Sequence, residues 1–268
     1  MAANRGRRPV GALEPPSRIV VAGDWHGNTG WASHVIRTAA KSLVAEERRI
    51  ILHCGDYGIW PGRAGEQYRA AVAVALIQAG AELWFVDGNH EWFPYLALDR
   101  EPEPDGRVRV SGRQYHLPRG HRWRWHGRTW LALGGGVSLD RAIRTEGRDW
   151  WPQEEITDAQ EAWVTGEGHA DVMVTHDCPS GVTHTFAPPP SFWDLRDLAR
   201  NDAHRERLQR VVDAVQPSHL MHGHLHRAYQ RRCDFGYGPV EVTGLDRDDG
   251  DGANWAVLDV KSMTWEVA

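Results

Sequence analysis

The sequence has no apolar run long enough to cross a membrane. Its longest apolar run, 70–77, has eight residues, whereas a membrane-spanning helix needs roughly 20. Residues 1–17 contain three arginines and three prolines but no apolar segment of the kind that a signal peptide requires. We therefore expect a flexible polar leader over 1–17 and no membrane partner.

Cysteine is also scarce. The chain has three, Cys54, Cys178 and Cys233, and an odd number without a secretion signal is typical of the reducing cytoplasm rather than of a disulfide framework. Cys54 and Cys178 each lie two residues from Asp56 or His176, which leaves a redox or metal role open. A free cysteine more often packs as a small apolar side chain, and we expect packing here.

Excess positive charge and internal linkers are absent as well. The net charge of -5 and a pI near 6.3 give no general attraction to nucleic acid, so strong nucleic-acid binding is not expected. No Ser/Gly-rich linker or repeat divides the 268 residues, and this length is near the upper end for one hydrophobic core. The sequence predicts one domain over 18–268.

What the sequence does contain is metal-binding side chains at the ends of five apolar, strand-like runs (18–22, 49–52, 83–86, 171–174 and 218–221). Open α/β sheets place their sites at this end of the strands. Two pairs of these side chains are spaced i and i+2, so in extended backbone each pair points to one side and can hold one ion. The segments are Gly23-Asp24-Trp25-His26-Gly27, Gly55-Asp56, Gly88-Asn89-His90-Glu91, Thr175-His176-Asp177 and Gly223-His224-Leu225-His226.

The candidate ligands are all oxygen and nitrogen donors, with no thiolate among them. Such ligands suit Mn, Fe or Zn in two-metal hydrolytic centres better than a closed structural zinc site. The seven candidates are Asp24, His26, Asp56, Asn89, His176, His224 and His226.

In this order the five segments resemble the calcineurin-like metallophosphoesterase family, whose motifs are Asp-x-His, Gly-Asp, Gly-Asn-His-Glu, His and Gly-His-x-His. The resemblance covers 24–226, most of the chain. It implies two divalent metal ions, with Mn expected and Fe, Zn or Ni as alternatives. It also implies that Asp56 bridges the ions, that one ion is held by Asp24, His26 and His226, and that the other is held by Asn89, His176 and His224.

The resemblance further implies a hydrolase in which a hydroxide between the two ions attacks phosphorus in line. Asp56 and His90 are then the catalytic residues, with His90 protonating the leaving group. We expect a phosphodiesterase or phosphatase acting on a small, nucleotide-like phosphoester, and the lack of a basic groove slightly favours a diesterase. A phosphoprotein phosphatase, a dinucleoside polyphosphate hydrolase and a non-catalytic scaffold remain alternatives.

Three further residues are candidates for substrate contact. Arg141 and Arg144 follow the glycine run 134–136, where backbone can approach a phosphate closely and guanidinium groups can clamp its oxygens; a plain flexible turn is the alternative. His222 lies two residues before His224, so it contacts either the substrate or only the buried end of a strand.

Aromatic residues raise two more questions. The segment 179–194 combines aromatic residues with prolines, so it is a lid or a base-stacking platform beside the site, or its aromatic residues pack on the domain surface. Of the fourteen tryptophans, Trp25, Trp60 and Trp92 lie beside the metal-binding motifs. We expect most tryptophans to serve packing, with stacking on a substrate as the alternative for these three.

Strand and helix patterns alternate along most of the chain, which predicts an α/β fold. Helices are expected near 28–47, 65–79, 153–164 and 202–215, and the apolar second one is expected to be well buried. Short hairpins between 107 and 133 and three late strands near 227–233, 238–243 and 254–259 are expected to form a second sheet. Two stacked mixed sheets with helices outside give a four-layer αββα sandwich, which is also the fold that the family resemblance implies.

Overall fold

Two mixed β-sheets form the centre of the computed structural model, which describes residues 14–182 and 193–266. The first sheet has seven strands in the order β13-β12-β1-β2-β3-β5-β4. Its strands and the helices that follow them are β1 (Arg18–Ala22), α1 (Thr29–Ala39), β2 (Arg49–His53), α2 (Gly62–Ala79), β3 (Ala81–Phe85), α3 (Phe93–Leu96), β4 (Val108–Ser111), β5 (Gln114–His116), β12 (Trp255–Asp259) and β13 (Thr264–Glu266).

The second sheet has six strands in the order β10-β11-β9-β8-β7-β6. Its core strands β7, β8, β9 and β11 are parallel, so their carboxyl ends meet at one edge. The elements are β6 (Arg122–Trp125), β7 (Arg128–Leu133), α4 (Asp158–Gly166), β8 (Val172–Thr175), α5 (Leu195–Val215), β9 (His219–His222), β10 (Tyr229–Phe235) and β11 (Gly238–Gly244).

Successive side chains along each strand point to opposite faces of its sheet, and each face packs against a different layer. In β1, Val20 and Ala22 pack with α1 and α2 on one face, whereas Ile19 and Val21 pack against the second sheet on the other. The far face of the second sheet is covered by α4 and α5 through apolar side chains such as Val164. This arrangement confirms the four-layer sandwich, and each fully buried Val, Leu or Ile stabilises it by about 1.5–3 kcal/mol.

Tryptophans fill much of the space between the sheets. Trp84, Trp125 and Trp130 are buried there, and the Trp125 ring lies 5.2 Å from that of Trp130 and 5.3 Å from that of Trp84. Trp25 is also fully buried. The packing interpretation is confirmed for these residues, and direct stacking of Trp25 on a substrate is excluded by its burial.

Two expectations about sheet membership were wrong. The hairpin β4–β5 extends the first sheet, because β5 pairs with β3. Strand β12 also joins the first sheet, pairing antiparallel with β1 from Arg18 opposite Asp259. Successive side chains of β12 point to opposite faces of the sheet: Val257 packs in the cluster with α1 and α2, and Leu258 packs between the two sheets. This local pattern does not specify which sheet the strand joins.

Helix lengths also differ from expectation. Helix α1 ends at Ala39, not near 47, because after a short 3-10 turn Leu43 becomes extended and buries its side chain. Helix α4 begins at Asp158, behind a Thr157–Gln160 capping box. Helix α5 begins seven residues earlier than expected, at Leu195, because Asp194 caps its first turn.

Helix α2 buries only one face, contrary to the expectation of general burial. Val74 and Ile77 are 53% and 61% exposed, although Gly80 ends the helix in the left-handed conformation as expected. Within the described residues no helix has the length and apolarity to cross a bilayer. The segment 1–13 of the expected leader and residues 183–192 of the expected lid lie outside the described residues.

The cysteines near the ligands serve packing, as expected. Cys54 lies in the cluster between the sheets and Cys178 in the cluster under α5, and both side chains are buried. Burial raises the pKa of the Cys178 thiol to about 12 and also raises that of Cys54. Thiols held protonated in this way are poor nucleophiles and poor metal ligands.

Candidate metal centre

The seven candidate ligands meet at one edge of the two sheets. Each lies in the segment that follows a strand: β1, β2, β3, β8 or β9. The carboxylates of Asp24 and Asp56, the amide of Asn89 and the ring of His176 are buried, whereas His26, His224 and His226 retain partial exposure. The site is therefore a polar floor between the sheets with histidines at its rim.

One group of donors consists of Asp24, His26 and His226, whose ligand atoms lie within 4.8 Å of one another. The Asp24 Oδ2 atom is 3.1 Å from His226 Nε2 and 3.9 Å from His26 Nε2. The rings of His26 and His226 are 5.1 Å apart and nearly perpendicular. These distances bring two imidazoles and a carboxylate together at a common point.

A second group consists of Asp24, Asp56 and His176. Asn89 belongs beside it, since its Oδ1 lies 2.9 Å from His176 Nε2, and the ring of His224 lies 4.8 Å from that of His176. Asp56 contacts both groups: Oδ2 is 3.5 Å from His26 Nε2, and Oδ1 is 3.5 Å from His176 Nε2. The Asp56 carboxylate, a member of the second group, thus also faces a histidine of the first.

His224 and His226 do not point to the same side, contrary to the expectation from their i and i+2 spacing. Both residues adopt positive φ, 60° and 50°, so the backbone is not extended and the two rings turn to different partners, His176 and Asp24. His26 and Asp56 are also left-handed, with φ of 45° and 52°. Such conformations cost on the order of 1–3 kcal/mol each and persist where surrounding structure enforces them, often at functional sites.

Two glycines show why the motifs require that residue. A Cβ atom on Gly88 would lie 2.1 Å from Asp56 Oδ1, and one on Gly223 would lie 2.1 Å from Asp24 Oδ1. Any side chain at either position would therefore displace a candidate ligand.

The ionised state of the buried carboxylates favours cation binding at this site. Burial alone would raise the pKa of Asp24 and Asp56, but hydrogen bonding and charge from neighbouring histidines outweigh it and lower both values. Burial lowers the pKa of His26, but its hydrogen bond to Asp56 and the nearby carboxylates raise it to about 10. The same carboxylate field that holds a proton on His26 attracts a metal ion, so proton and metal compete for this ring.

His90 lies beside this centre. Its backbone N–H donates to Asp56 Oδ1 over 2.8 Å, and its Nε2 is 3.8 Å from Asp56 Oδ2. Arg144 Nη2 lies 2.6 Å from His90 Nδ1. Because a guanidinium can only donate, Nδ1 is the acceptor and Nε2 carries the ring hydrogen, on the side of Asp56.

The comparisons with known proteins agree with this geometry. The family model for calcineurin-like phosphoesterases matches residues 17–228. The chain belongs to the calcineurin-like phosphoesterase family. Together with the Asp/His groups, membership supports metal-dependent phosphoesterase activity.

The solved structures that this chain matches have little sequence identity to it. The crystal structure of TT1561 of Thermus thermophilus is similar with a TM-score of 0.56 at 14% identity, covering 94% of this chain and 98% of that one. GAP50, the anchor in the inner membrane complex of Plasmodium, matches with a TM-score of only 0.43 at 10% identity, covering 91% of this chain and 81% of that one. No curated protein sequence matches the chain at a significant level.

The family's ligand positions are supported here by neighbours that the motifs do not name. His176 Nδ1 donates to the Cys54 carbonyl over 2.8 Å, which leaves Nε2 for the centre. Asn89 Nδ2 donates to Ser138 Oγ over 3.1 Å, and Ser138 Oγ donates to Glu154 over 2.6 Å. These bonds turn the Asn89 oxygen toward His176.

Asp248 is the most direct contact that sequence reasoning missed. Its Oδ1 lies 2.9 Å from His26 Nδ1, and it belongs to the loop after β11, beyond the span that the family model matches. The signal that would have found it is an acidic stretch, 246–251, directly after a strand parallel to β9.

The glycine run 134–136 is not a flexible turn. All residues from 134 to 138 are buried, and a Cβ on Gly136 would lie 3.0 Å from the His176 ring and 3.3 Å from Asn89 Oδ1. The backbone of the glycine run therefore lies close to candidate metal ligands.

Of the three expected substrate contacts, two lie beside an open cleft and one is buried. His222 is fully buried, with its ring bonded to the Gly223 carbonyl over 2.8 Å and to the Tyr229 hydroxyl, which favours the strand-end interpretation. Arg141 stacks on Trp150 at 4.2 Å. Together with Arg144 and Arg196 it lines a cleft of about 290 Å³.

Proposed function

We propose that this protein is a two-metal phosphoester hydrolase acting on a small phosphoester, with a phosphodiester preferred over a monoester. The observation that carries the proposal is the position of Asp56, 3.5 Å from a histidine of each of two groups of donors. The proposed ligands of one divalent ion are Asp24, His26 and His226, those of the other are Asn89, His176 and His224, and Asp56 bridges them.

The donor set fits such ions. It consists of carboxylate, amide and imidazole atoms, and in each of two carboxylate–imidazole groups the ligand atoms lie within 4.8 Å of one another. Such a set suits Mn, with Fe, Zn and Ni as alternatives. When bound, a pair of divalent ions lowers the pKa of water and neutralises charge on a phosphoryl group.

His90 is proposed to protonate the leaving group. Its side chain is 25% exposed, so an ester can reach it from solvent. Its Nε2–H faces Asp56, on the side of the candidate metal centre. In the proposed reaction a P–O bond forms to the water oxygen, the P–O bond to the leaving group breaks, and the His90 proton passes to the departing oxygen. Because Nδ1 accepts from Arg144, the proton that the attacking water loses passes to Nε2 of His90 and restores the neutral ring, so the products are the alcohol and the new phosphate ester or phosphate.

The cleft beside Arg144 is proposed to hold the part of the ester beyond the scissile bond. The Arg141 side chain is 42% exposed in this cleft, and its Nη1 lies 3.8 Å from Oδ1 of Asp197. Its guanidinium retains donors for an anionic or hydroxyl group, which supports the expected nucleotide-like substrate. His222 is not carried into this proposal because of its burial.

Hydrolysis of two model esters tests the proposed function. We expect turnover of bis-p-nitrophenyl phosphate with added Mn, a lower kcat/KM for p-nitrophenyl phosphate, and loss of both activities with chelator. A higher kcat/KM for the monoester would contradict the diester preference. Absence of turnover with two ions bound would support a scaffold instead.

A variant of Arg144 tests whether this residue fixes His90. Arg144 Nε and Nη2 each lie 2.7 Å from a carboxylate oxygen of Asp140, so the guanidinium is held while it contacts the imidazole. We expect Arg144→Ala to lower kcat by up to about 100-fold, the scale on which misplacement of a reacting group acts, with unchanged Mn content.

The matched control for that variant is Arg148→Ala. Arg148 is in the same segment, its side chain is 71% exposed, and it pairs only at the surface with Asp149. Equal kcat values for the two variants would show that the contact between Arg144 and His90 has no role in turnover.

A further inference from the structure

We propose that Asp248, in the loop between β11 and β12, positions His26 for metal binding. The inference rests on the two-ion function proposed above and adds a residue outside the family-matched span. Its basis is the 2.9 Å contact between Asp248 Oδ1 and His26 Nδ1. An ionised carboxylate can only accept, so Nδ1 carries a hydrogen, and Nε2 is the ring atom that a metal ion would bind in place of a proton.

The direction in which Nε2 points matters. His26 Nε2 lies 3.5 Å from Asp56 Oδ2 and 3.9 Å from Asp24 Oδ2. Metal binding requires a lone pair at this position, and rotation of the ring or a change of tautomer would remove it. A carboxylate behind a metal-binding histidine commonly fixes both ring orientation and tautomer.

Asp248 is itself held at several points. Its Oδ2 accepts from Asn28 Nδ2 over 2.9 Å, and its backbone N–H donates to the Asp24 carbonyl over 2.8 Å. Asn28 also caps α1, since its Oδ1 accepts from the Trp31 N–H over 3.1 Å. The carboxylate is only 13% exposed, so it is part of the structure around the first metal segment.

The loop is braced from within as well. Asp246 accepts from the backbone N–H groups of Arg247 over 2.7 Å and Gly252 over 2.8 Å. Asn254 donates to the carbonyls of Asp24 over 3.2 Å and Asp246 over 2.7 Å. This loop and the segment after β1 therefore form one hydrogen-bonded unit, and a local shift of Asp248 would be opposed by several bonds.

The experiment is a titration of the metal-free full chain with Mn by calorimetry. Asp248→Ala removes the carboxylate contacts to His26 and to Asn28. Asp248→Asn keeps one oxygen for His26 but places an N–H group opposite the N–H group of Asn28, so that those two groups cannot form a hydrogen bond. We expect one of two Mn sites to weaken about 10- to 100-fold in Asp248→Ala, with a smaller loss in Asp248→Asn. The other site should change less than about twofold, because its ligands do not contact Asp248.

Asp251→Ala is the matched control. Asp251 is exposed and in the same loop, so its removal reproduces the change in net charge without the contact to His26. We expect its Mn affinities to match those of the wild type. If Asp248→Ala does not fold, as judged by circular dichroism, Asp248→Asn provides the test.

A second readout does not depend on metal. In proton spectra of the metal-free protein we expect a slowly exchanging, downfield His26 Nδ1–H signal in the wild type and in Asp251→Ala, because the Asp248 carboxylate holds that hydrogen, and we expect rapid exchange with water to remove the signal in Asp248→Ala. If the wild type binds two Mn ions and both Asp248 variants bind them as tightly as the control, the inference is overturned while the proposed function stands. If the wild type binds none of Mn, Fe, Zn and Ni, both are overturned.

Discussion

Replacing Asp56 with asparagine is expected to lower metal-dependent kcat/KM by more than about 100-fold, since removing a residue that merely orients a metal ligand already costs roughly 10- to 100-fold. Both carboxylate oxygens are in use: Oδ1 accepts from the His90 N–H, and Oδ2 faces His26. Asparagine provides one oxygen and no charge, so it cannot bridge two cations.

The substitution is well suited to separate chemistry from folding. Asp56 has a φ of 52°, and asparagine is one of the few residues that adopts this conformation readily. Turnover of bis-p-nitrophenyl phosphate, Mn content and melting temperature should be measured together, with Asp251→Asn as the control. Retention of wild-type kcat/KM by a folded Asp56→Asn protein would rule out a bridging role.

His90→Gln is expected to lower kcat by about 10²- to 10⁴-fold for esters with alkoxide leaving groups, the range typical of a general acid. The loss should be far smaller for p-nitrophenyl esters, because p-nitrophenolate departs without protonation. The ring is fixed between Arg144 and Asp56.

The dependence on leaving group distinguishes a catalytic role from a structural one. A structural defect would slow every ester equally and would change Mn content, which should stay at the wild-type level here because His90 is not among the proposed ligands. His34→Gln, an exposed change on α1, is the control. An equal loss for both classes of ester would count against the general acid.

The location of the centre could be predicted because its evidence is local. An apolar run followed by Gly-Asp or Gly-His-x-His contains both the strand and the ligand within about ten residues, and the carboxyl ends of parallel strands meet at one edge. The positions of Asp24, Asp56, Asn89 and His176 in one buried cluster follow from that rule. The resemblance carried by the order of the motifs predicted the division between His224 and His226, which the spacing argument did not.

Contacts between distant segments were not predictable in the same way. Arg144 meets His90 across 54 positions of sequence, and Asp248 meets His26 across 222. Neither pair belongs to one strand, helix or motif, so no periodicity links them. The sheet chosen by β12 is a similar case, because the alternating pattern of that strand suits either sheet.

Hydrophobic periodicity and the motifs at strand ends were sufficient to predict the αββα class, the family and a set of candidate ligands. The three-dimensional structure was needed to show that left-handed backbone separates the His224 and His226 rings, that Arg144 contacts His90, that His222 is buried, and that Asp248 contacts His26. These features depend on left-handed backbone at single residues and on the packing of loops from both sheets at one edge. Both are set by long-range contacts rather than by local residue preference.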